Sequence, residues 1–83
     1  MSNTEIAERL KERAQELRRL HENLYRVKAY RFAAQSILRL EKPVESLVKE
    51  HGPRALEELP GIGKRLAAAI TRYLETGEWQ TRN

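Results

Sequence analysis

The sequence predicts an all-α domain, a compact bundle of four to five helices, and three observations support this fold class. All twelve acidic residues are glutamate and none is aspartate; glutamate is a good helix former, whereas aspartate favours caps and turns. Aromatic residues make up only 6% of the chain and β-branched residues are few, so the side chains that favour strands are scarce. Apolar residues recur at helical spacing between breaks formed by glycine and proline.

The first predicted helix covers residues 4–22. Its apolar stripe recurs at spacings of 4, 7, 3 and 4 residues and consists of Ile6, Leu10, Leu17, Leu20 and Leu24, with Ala7 and Ala14 between them. Ser2 and Glu5 have the spacing of a capping box. We expect the stripe to cover the core of the same domain. A dimer seam is the alternative, which three heptads do not establish.

The second predicted helix covers residues 25–40, with an apolar face made of Tyr30, Ala33, Ala34, Ile37 and Leu38. Pro43 starts a short third helix, with Val44, Leu47 and Val48 turned inward, which Gly52 ends. A fourth, short helical piece fits residues 54–59.

The last predicted helix covers residues 64–76 and ends at Gly77 as its cap. Its inward residues are Leu66, Ala67, Ile70 and Leu74. Trp79 follows this cap and is expected to pack back on the last helix; stacking on a nucleic-acid base is its alternative role.

The length and composition exclude several classes of protein. With 83 residues the chain is a single domain, residues 1–83, and a domain of this size buries only about 60–65% of its unfolded surface, too little for a deep cleft. The absence of cysteine excludes disulfides and thiolate metal sites. Two histidines thirty residues apart argue against a zinc site. The absence of aspartate argues against magnesium-dependent nuclease or polymerase chemistry.

No segment of the sequence predicts a membrane partner. The longest apolar run, LAAAI at residues 66–70, is too short to span a bilayer, and the acidic opening MSNTEIAE is unlike a secretory signal. We therefore expect an intracellular, cytoplasmic protein, associated with the nucleoid if it is bacterial.

The net charge of +4 is unevenly distributed along the chain. Residues 1–22 are neutral, residues 23–42 carry +4, residues 43–59 carry −2 and residues 60–83 carry +2. Two basic blocks around an acidic one are compatible with a surface for a polyanion. Charge alone does not establish one, because lysine and arginine on helix surfaces are usually just solvated.

The segment LPGIGK at residues 59–64, between the last two helices, carries the predicted chemistry. Its two glycines let the backbone turn at positive φ, and Ile62 between them is expected to anchor the turn in the core. The first amides of the following helix lack intrahelical partners and lie at the positive end of its dipole, which suits a phosphate; Lys64 and Arg65 add charge there. The segment is not a nucleotide P-loop, because Glu58 and Arg65 stand where that motif needs glycine and serine or threonine.

This pattern resembles a helix-hairpin-helix element, and the chain as a whole resembles the N-terminal 8-kDa domain of family X DNA polymerases, such as DNA polymerase β and its bacterial relatives. The resemblance is carried, in the family's order, by IAERLKERAQELRRLHENLYRVKAYRFAAQSI at residues 6–37, LEELPGIGKRLAAAI at 56–70 and YLETGE at 73–78. The AYRxAA and LPGIG segments are the most specific. Leu24 replaces the family's usual proline, so we expect the first two helices to join with less of a break.

The resemblance implies a role for the hairpin backbone. Three amides are expected to bind DNA phosphates without reading the base sequence, those of Gly61, Gly63 and Lys64. Three carbonyls are expected to hold a monovalent cation, Na⁺ or K⁺, that bridges to a phosphate oxygen, those of Glu57, Leu59 and Ile62. No other cofactor is implied.

The resemblance also implies a site for the 5′-phosphate of a downstream strand, formed by Arg26, Tyr30 and Arg65. Lys28, in the same basic helix, is a further candidate contact with DNA. The alternatives are a core position for Tyr30 and a solvated charge for Arg26.

Many members of the family are lyases that remove 5′-deoxyribose phosphate through a lysine Schiff base, and here that lysine position is Ala69. Alanine forms no imine, and the polymerase carboxylates of the family lie in domains outside this sequence. We therefore expect a DNA-binding module that is not an enzyme, with a preference for gaps, nicks or 5′ ends in repair. The alternatives are a lyase that uses a displaced lysine, Lys64 or Lys28, and a docking module for other proteins, including repair proteins.

Overall fold

The computed structural model describes residues 2–79, and over these residues it contains five helices and no strand. In chain order they are α1 (Asn3–Arg19), α2 (Leu24–Arg39), α3 (Val44–His51), a 3₁₀ helix (Pro53–Glu58) and α4 (Lys64–Thr76). The all-α prediction is confirmed. Within the same residues, no helix combines the length and the apolar character that crossing a bilayer requires.

The N-terminus of α1 forms the predicted capping box. The Ser2 hydroxyl accepts a hydrogen bond from the Glu5 amide at 3.1 Å, and the Glu5 carboxylate accepts one from the Ser2 amide at 3.0 Å. The hydrogen bond from the Ser2 backbone is the main reason that the pKa of Glu5 lies below its ordinary value. The local pattern in the sequence thus determines where the first helix begins.

The connection between α1 and α2 is a complete break, so the expectation that Leu24 would smooth it was wrong. The Glu22 amide donates to the Leu17 carbonyl and the His21 amide donates to the Arg18 carbonyl, which is the bonding pattern of a Schellman motif. His21 adopts a left-handed conformation, with φ of 58°. The chain therefore reverses direction even though no proline is present.

The second helix has its own cap, because the Asn23 side chain accepts a hydrogen bond from the Tyr25 amide at 2.7 Å. Leu20 and Leu24, which the sequence assigned to the apolar stripe of α1, are 60% and 66% exposed. The stripe ends with the helix at Arg19, so the two leucines lie at the outer end of the turn, away from the core.

The main core draws on every element. Its buried members are Ile6, Ala7, Leu10, Ala33, Ala34, Ile37, Val44, Leu56, Ile62, Leu66, Ala67, Ile70 and Tyr73. A smaller cluster between α1 and α2 consists of Ala14, Leu17 and Val27, and Tyr30 packs against both clusters. Leu38, predicted on the apolar face of α2, is 45% exposed, because a position one residue beyond the buried Ile37 is turned about 100° around the helix.

The side chain of Asn3 joins the start of α1 to the start of α3. It accepts a hydrogen bond from the Val44 amide at 2.8 Å and donates one to the Lys42 carbonyl at 2.9 Å. The predicted ends of α3 and α4 are confirmed, because Gly52 and Gly77 cap them with φ of 82° and 76°.

Trp79 packs back as predicted. Its ring meets the Tyr73 ring edge-on, with centroids 5.5 Å apart, and rests on the main core. This contact holds the end of the described part of the chain against α4.

Candidate nucleic-acid interface

The hairpin between the 3₁₀ helix and α4 contains a tight turn. The Leu59 carbonyl accepts a hydrogen bond from the Ile62 amide at 3.1 Å, and Gly61 has φ of 81°. Proline at the second position and a left-handed glycine at the third are the features of a type II β-turn. Ile62 is 3% exposed, which confirms that it anchors the turn in the core.

Gly63 corrects one prediction, because it does not have positive φ. Its backbone is extended, with φ of −91° and ψ of −170°, and it is the N-cap of α4. An N-cap residue takes an extended conformation when the helix starts at the next residue, so only Gly61 needs the left-handed region. A Cβ atom added to Gly63 would meet nothing within 4 Å, which shows that this side of the hairpin is open.

Helix α2 packs against the turn through two residues, Ser36 and Phe32, that the sequence did not identify as part of the site. The buried Ser36 hydroxyl donates a hydrogen bond to the Pro60 carbonyl at 2.5 Å. The Phe32 ring packs so close to Gly61 that a Cβ there would lie 2.9 Å from its Cγ. A serine among the apolar positions of α2 was the available signal, since a buried hydroxyl requires a partner.

The N-terminus of α4 presents amides without helical acceptors. The first bond of the helix runs from the Ala67 amide to the Gly63 carbonyl at 2.9 Å, so the amides of residues 64–66 have no acceptor within the helix. No side chain of residues 2–79 caps Gly63. These amides therefore suit an anion at the positive end of the helix dipole.

A groove of about 550 Å³ lies beside the hairpin. α1 contributes Arg13, and α2 contributes Arg26, Ala29 and Tyr30. The hairpin and α4 contribute Gly61, Gly63, Lys64, Arg65, Leu66, Ala68, Ala69 and Arg72. The structure thus brings six predicted site residues together, with five basic side chains and no acidic one in the lining. We call this site the basic groove.

The basic side chains of the basic groove differ in their partners. Arg26 pairs with Glu22 at 3.5 Å, and Arg13 pairs with Glu16. Among residues 2–79, no carboxylate lies within 4 Å of Lys64 or Arg65. These two cations stand beside the bare amides and are available to an anion.

The remaining predicted residues take different positions. Tyr30 is half-buried, so it serves the core and also lines the basic groove. Lys28 is exposed and does not line the groove. Ala69, at the family's lysine position, is half-buried in the groove lining.

The predicted cation ligands are backbone oxygens of the hairpin. The Leu59 carbonyl already accepts the Ile62 amide, which uses one of its two lone pairs and leaves one for a cation. The donor set of Glu57, Leu59 and Ile62 thus fits a hard monovalent ion in its chemistry, and the site remains a prediction. No group of three or more histidine or glutamate side chains within residues 2–79 is arranged to hold a metal ion.

A second groove, of about 420 Å³, lies between the 3₁₀ helix and α4. It shares Lys64 and Arg72 with the basic groove, but Glu57 and Glu75 also line it. Because its charges are mixed, it is less suited to a polyanion than the basic groove.

A family model described as a helix-hairpin-helix domain matches residues 1–79. No curated protein matches the chain.

Proposed function

The chain belongs to the helix-hairpin-helix domain family, and on this premise we propose that it is a DNA-binding module that holds the phosphate backbone without reading the base sequence. Helix-hairpin-helix domains generally bind nucleic acid. The observation that carries the proposal is the basic groove, where the uncapped start of α4 and five basic side chains face one space. Amides and cations of this kind contact phosphates, which carry no sequence information. We also propose that the protein is cytoplasmic, and that it is associated with the nucleoid if it is bacterial.

We further propose that the module prefers gapped, nicked or 5′-phosphorylated DNA and acts in repair. Arg26, Tyr30 and Arg65 line one groove, as the resemblance to the family X polymerase domain implies. A terminal phosphate is nearly dianionic at neutral pH, with a second pKa near ~6, so it attracts cations more strongly than an internal diester does. A guanidinium also matches phosphate oxygens in a bidentate fork.

The expected preference for a 5′-phosphate follows from the strength of the hydrogen bonds that would hold it. A charge-assisted hydrogen bond contributes about 1.5–3 kcal/mol, and solvent at the open groove reduces this. We expect a preference of about 1–2 kcal/mol, which is about 5- to 30-fold in the dissociation constant.

The test compares gapped DNA that carries a 5′-phosphate with the same DNA ending in a 5′-hydroxyl, by fluorescence titration at fixed salt. Arg65→Ala and Arg26→Ala should each reduce the preference and retain residual backbone affinity. Arg31→Ala is the matched control, since Arg31 is an exposed cation of α2 outside the basic groove. Equal dissociation constants for both DNAs would eliminate the 5′-phosphate site and leave a general phosphate clamp.

We also propose that the protein has no deoxyribose phosphate lyase activity, because Ala69 offers no amine in the basic groove. Lys64 lines the same groove and is the one lysine placed to substitute, whereas Lys28 lies outside it. Borohydride trapping on an incised abasic DNA should therefore give no adduct. A stoichiometric covalent adduct that disappears in Lys64→Arg would make the protein a lyase.

Three exposed apolar side chains at the α1–α2 turn favour a second candidate function, docking of a partner protein. Leu20, Leu24 and Tyr25 are 60%, 66% and 83% exposed, and the exposed Arg18 and Arg19 flank them. Such a surface suits an acidic segment with apolar side chains, for example from another repair protein. Leu24→Glu should leave DNA binding intact under the leading proposal, and no DNA binding by the parent at low salt would favour docking as the main function.

A further inference from the structure

Arg13 is the one charged side chain among residues 2–79 that is buried. It is 8% exposed, whereas the other basic residues of this range are half-exposed or exposed. It lies on α1, outside the hairpin and outside the two helices that the 5′-phosphate site uses. Since burial of a charge is costly unless its hydrogen bonds are satisfied, the Arg13 guanidinium requires hydrogen-bond acceptors.

The partner within the described chain satisfies only part of the guanidinium. Arg13 donates to the carboxylate of Glu16, three residues along the same helix. A guanidinium has five N–H donors, and this carboxylate is the one hydrogen-bond partner that Arg13 has among residues 2–79. None of its nitrogen atoms is both sealed from solvent and without a partner, so every nitrogen that Glu16 leaves unpaired keeps some contact with solvent.

Arg13 lines the basic groove, together with Ala69. The lining also includes the small side chains of Ala29 and Ala68. A groove of about 550 Å³ is also larger than one phosphate needs, and its five basic side chains exceed the two charges of a single terminal phosphate.

We propose that Arg13 is a DNA-binding residue at the floor of the basic groove, where its guanidinium exchanges the Glu16 carboxylate for a phosphate oxygen of the bound strand. The inference rests on the proposed function and adds a contact from α1, with a phosphate that lies next to the terminal one. Glu16 holds the guanidinium in place in the unbound protein and competes with DNA for it.

The proposal predicts opposite effects for the two members of the pair. Arg13→Met keeps an unbranched apolar stem in the packed position and should weaken binding to 5′-phosphorylated gapped DNA about 10-fold, because one charge-assisted contact is lost. The slope of log affinity against log salt should fall by about 1, as expected for one fewer phosphate contact. Glu16→Gln should strengthen binding about 2- to 5-fold, because DNA no longer displaces a carboxylate.

Arg9 provides the matched control. It lies one turn earlier on α1 and pairs with Glu12 in the same i,i+3 arrangement, at 2.6 Å, but it does not line the basic groove. Arg9→Met and Glu12→Gln should leave both the affinity and the salt slope unchanged. Thermal melting of every variant reports whether its fold is retained.

The outcomes separate this inference from the proposed function. If Arg65→Ala weakens DNA binding while Arg13→Met and Glu16→Gln bind as the parent does, Arg13 is a structural residue and the inference is wrong. If none of the three variants changes the affinity, the basic groove is not the DNA site and the proposed function is wrong. Should Arg13→Met fail to fold, Glu16→Gln decides alone, since unchanged affinity in that variant would contradict the exchange.

Discussion

Single residues determine two turns of the backbone, the α1–α2 turn and the hairpin. At the turn, His21 has φ of 58° and is the one residue other than glycine with positive φ in the described chain. At the hairpin, Gly61 takes the same region with Phe32 against it. His21 has a Cβ atom in a conformation that disfavours one, whereas Gly61 has no Cβ atom.

His21→Gly should therefore stabilise the protein. The left-handed conformation costs a residue with a side chain about 1–2 kcal/mol, and glycine removes most of this at a cost of about 0.5–1 kcal/mol in unfolded-chain entropy. We expect the free energy of unfolding to rise by about 0.5–1 kcal/mol. Urea unfolding followed by the fluorescence of Trp79, the sole tryptophan, measures the change. His21→Ala is the control and should not stabilise; equal gains from both variants would mean that backbone strain is not the cause.

The two hairpin glycines should respond differently to substitution. Gly63→Val places its side chain in open space on an extended backbone, so the helices should remain and the helical circular dichroism should stay similar. DNA binding should fall about 10-fold or more, because the side chain occupies the space that a phosphate needs beside the amides. Gly61→Ala should instead destabilise the fold, since its Cβ would lie 2.9 Å from Phe32. A folded Gly63→Val variant that binds DNA as well as the parent would show that the hairpin is not the site.

At the scale of elements, several helix ends have an identifiable cap. α1 begins with a capping box and ends in a Schellman motif, α2 begins at Asn23, and glycine ends α3 and α4. The N-cap residues of α3, the 3₁₀ helix and α4 make no side-chain cap; they are Pro43, Gly52 and Gly63. At α3 the Asn3 side chain accepts the Val44 amide, whereas the start of α4 lies in the lining of the basic groove, where its amides are available to an external anion.

The capping box predicts a dependence of stability on pH. The pKa of Glu5 is lowered in the folded protein by the Ser2 backbone amide, so its stabilising effect is complete well above its ordinary pKa of 4.5. The effect is lost as the pH falls through the lower, folded value. In Glu5→Gln, the loss of unfolding free energy between pH 6 and pH 3 should be smaller than in the parent, as measured by urea unfolding. Glu8→Gln, a neighbouring exposed glutamate outside the box, is the control, and equal pH dependence in Glu5→Gln and the parent would contradict the assignment.

At the scale of the whole molecule, the two grooves differ in the charge of their linings. The lining of the basic groove is basic, whereas the second groove also contains glutamates. Within the basic groove, carboxylates engage Arg13 and Arg26 but lie more than 4 Å from Lys64 and Arg65. Lys64 and Arg65, next to the amides of α4, are therefore available to a polyanion without displacing a carboxylate of the described residues.

The salt dependence of DNA binding tests this electrostatic surface as a unit. With about four phosphates neutralised on duplex DNA, the affinity should fall about 10²-fold between 50 and 200 mM salt. Changing the base sequence at constant length should leave the affinity nearly unchanged, because contacts with phosphates do not read bases. A salt slope near zero, or strong dependence on base sequence, would contradict the phosphate clamp.

The sequence by itself determined the helices, most of their ends and the hairpin. The signals concerned act over a few residues, so they can be recognised without knowledge of the fold. They are the apolar periodicity, the Ser2 and Glu5 pair and the glycines at 52, 61 and 77. The same periodicity misplaced Leu20 and Leu24, because it was extended beyond the point where hydrogen bonds end α1.

Only the tertiary structure decided which residues share the basic groove. Asn3 bonds to Val44 across 41 residues and Ser36 to Pro60 across 24, and no local pattern encodes such partners. Arg13 belongs, by sequence, to a helix of alternating charges; in the structure, where α1 packs against α2, it is buried and lines the same groove as the hairpin. The site depends on the relative placement of helices, which arises from the burial of the whole core and not from any one segment.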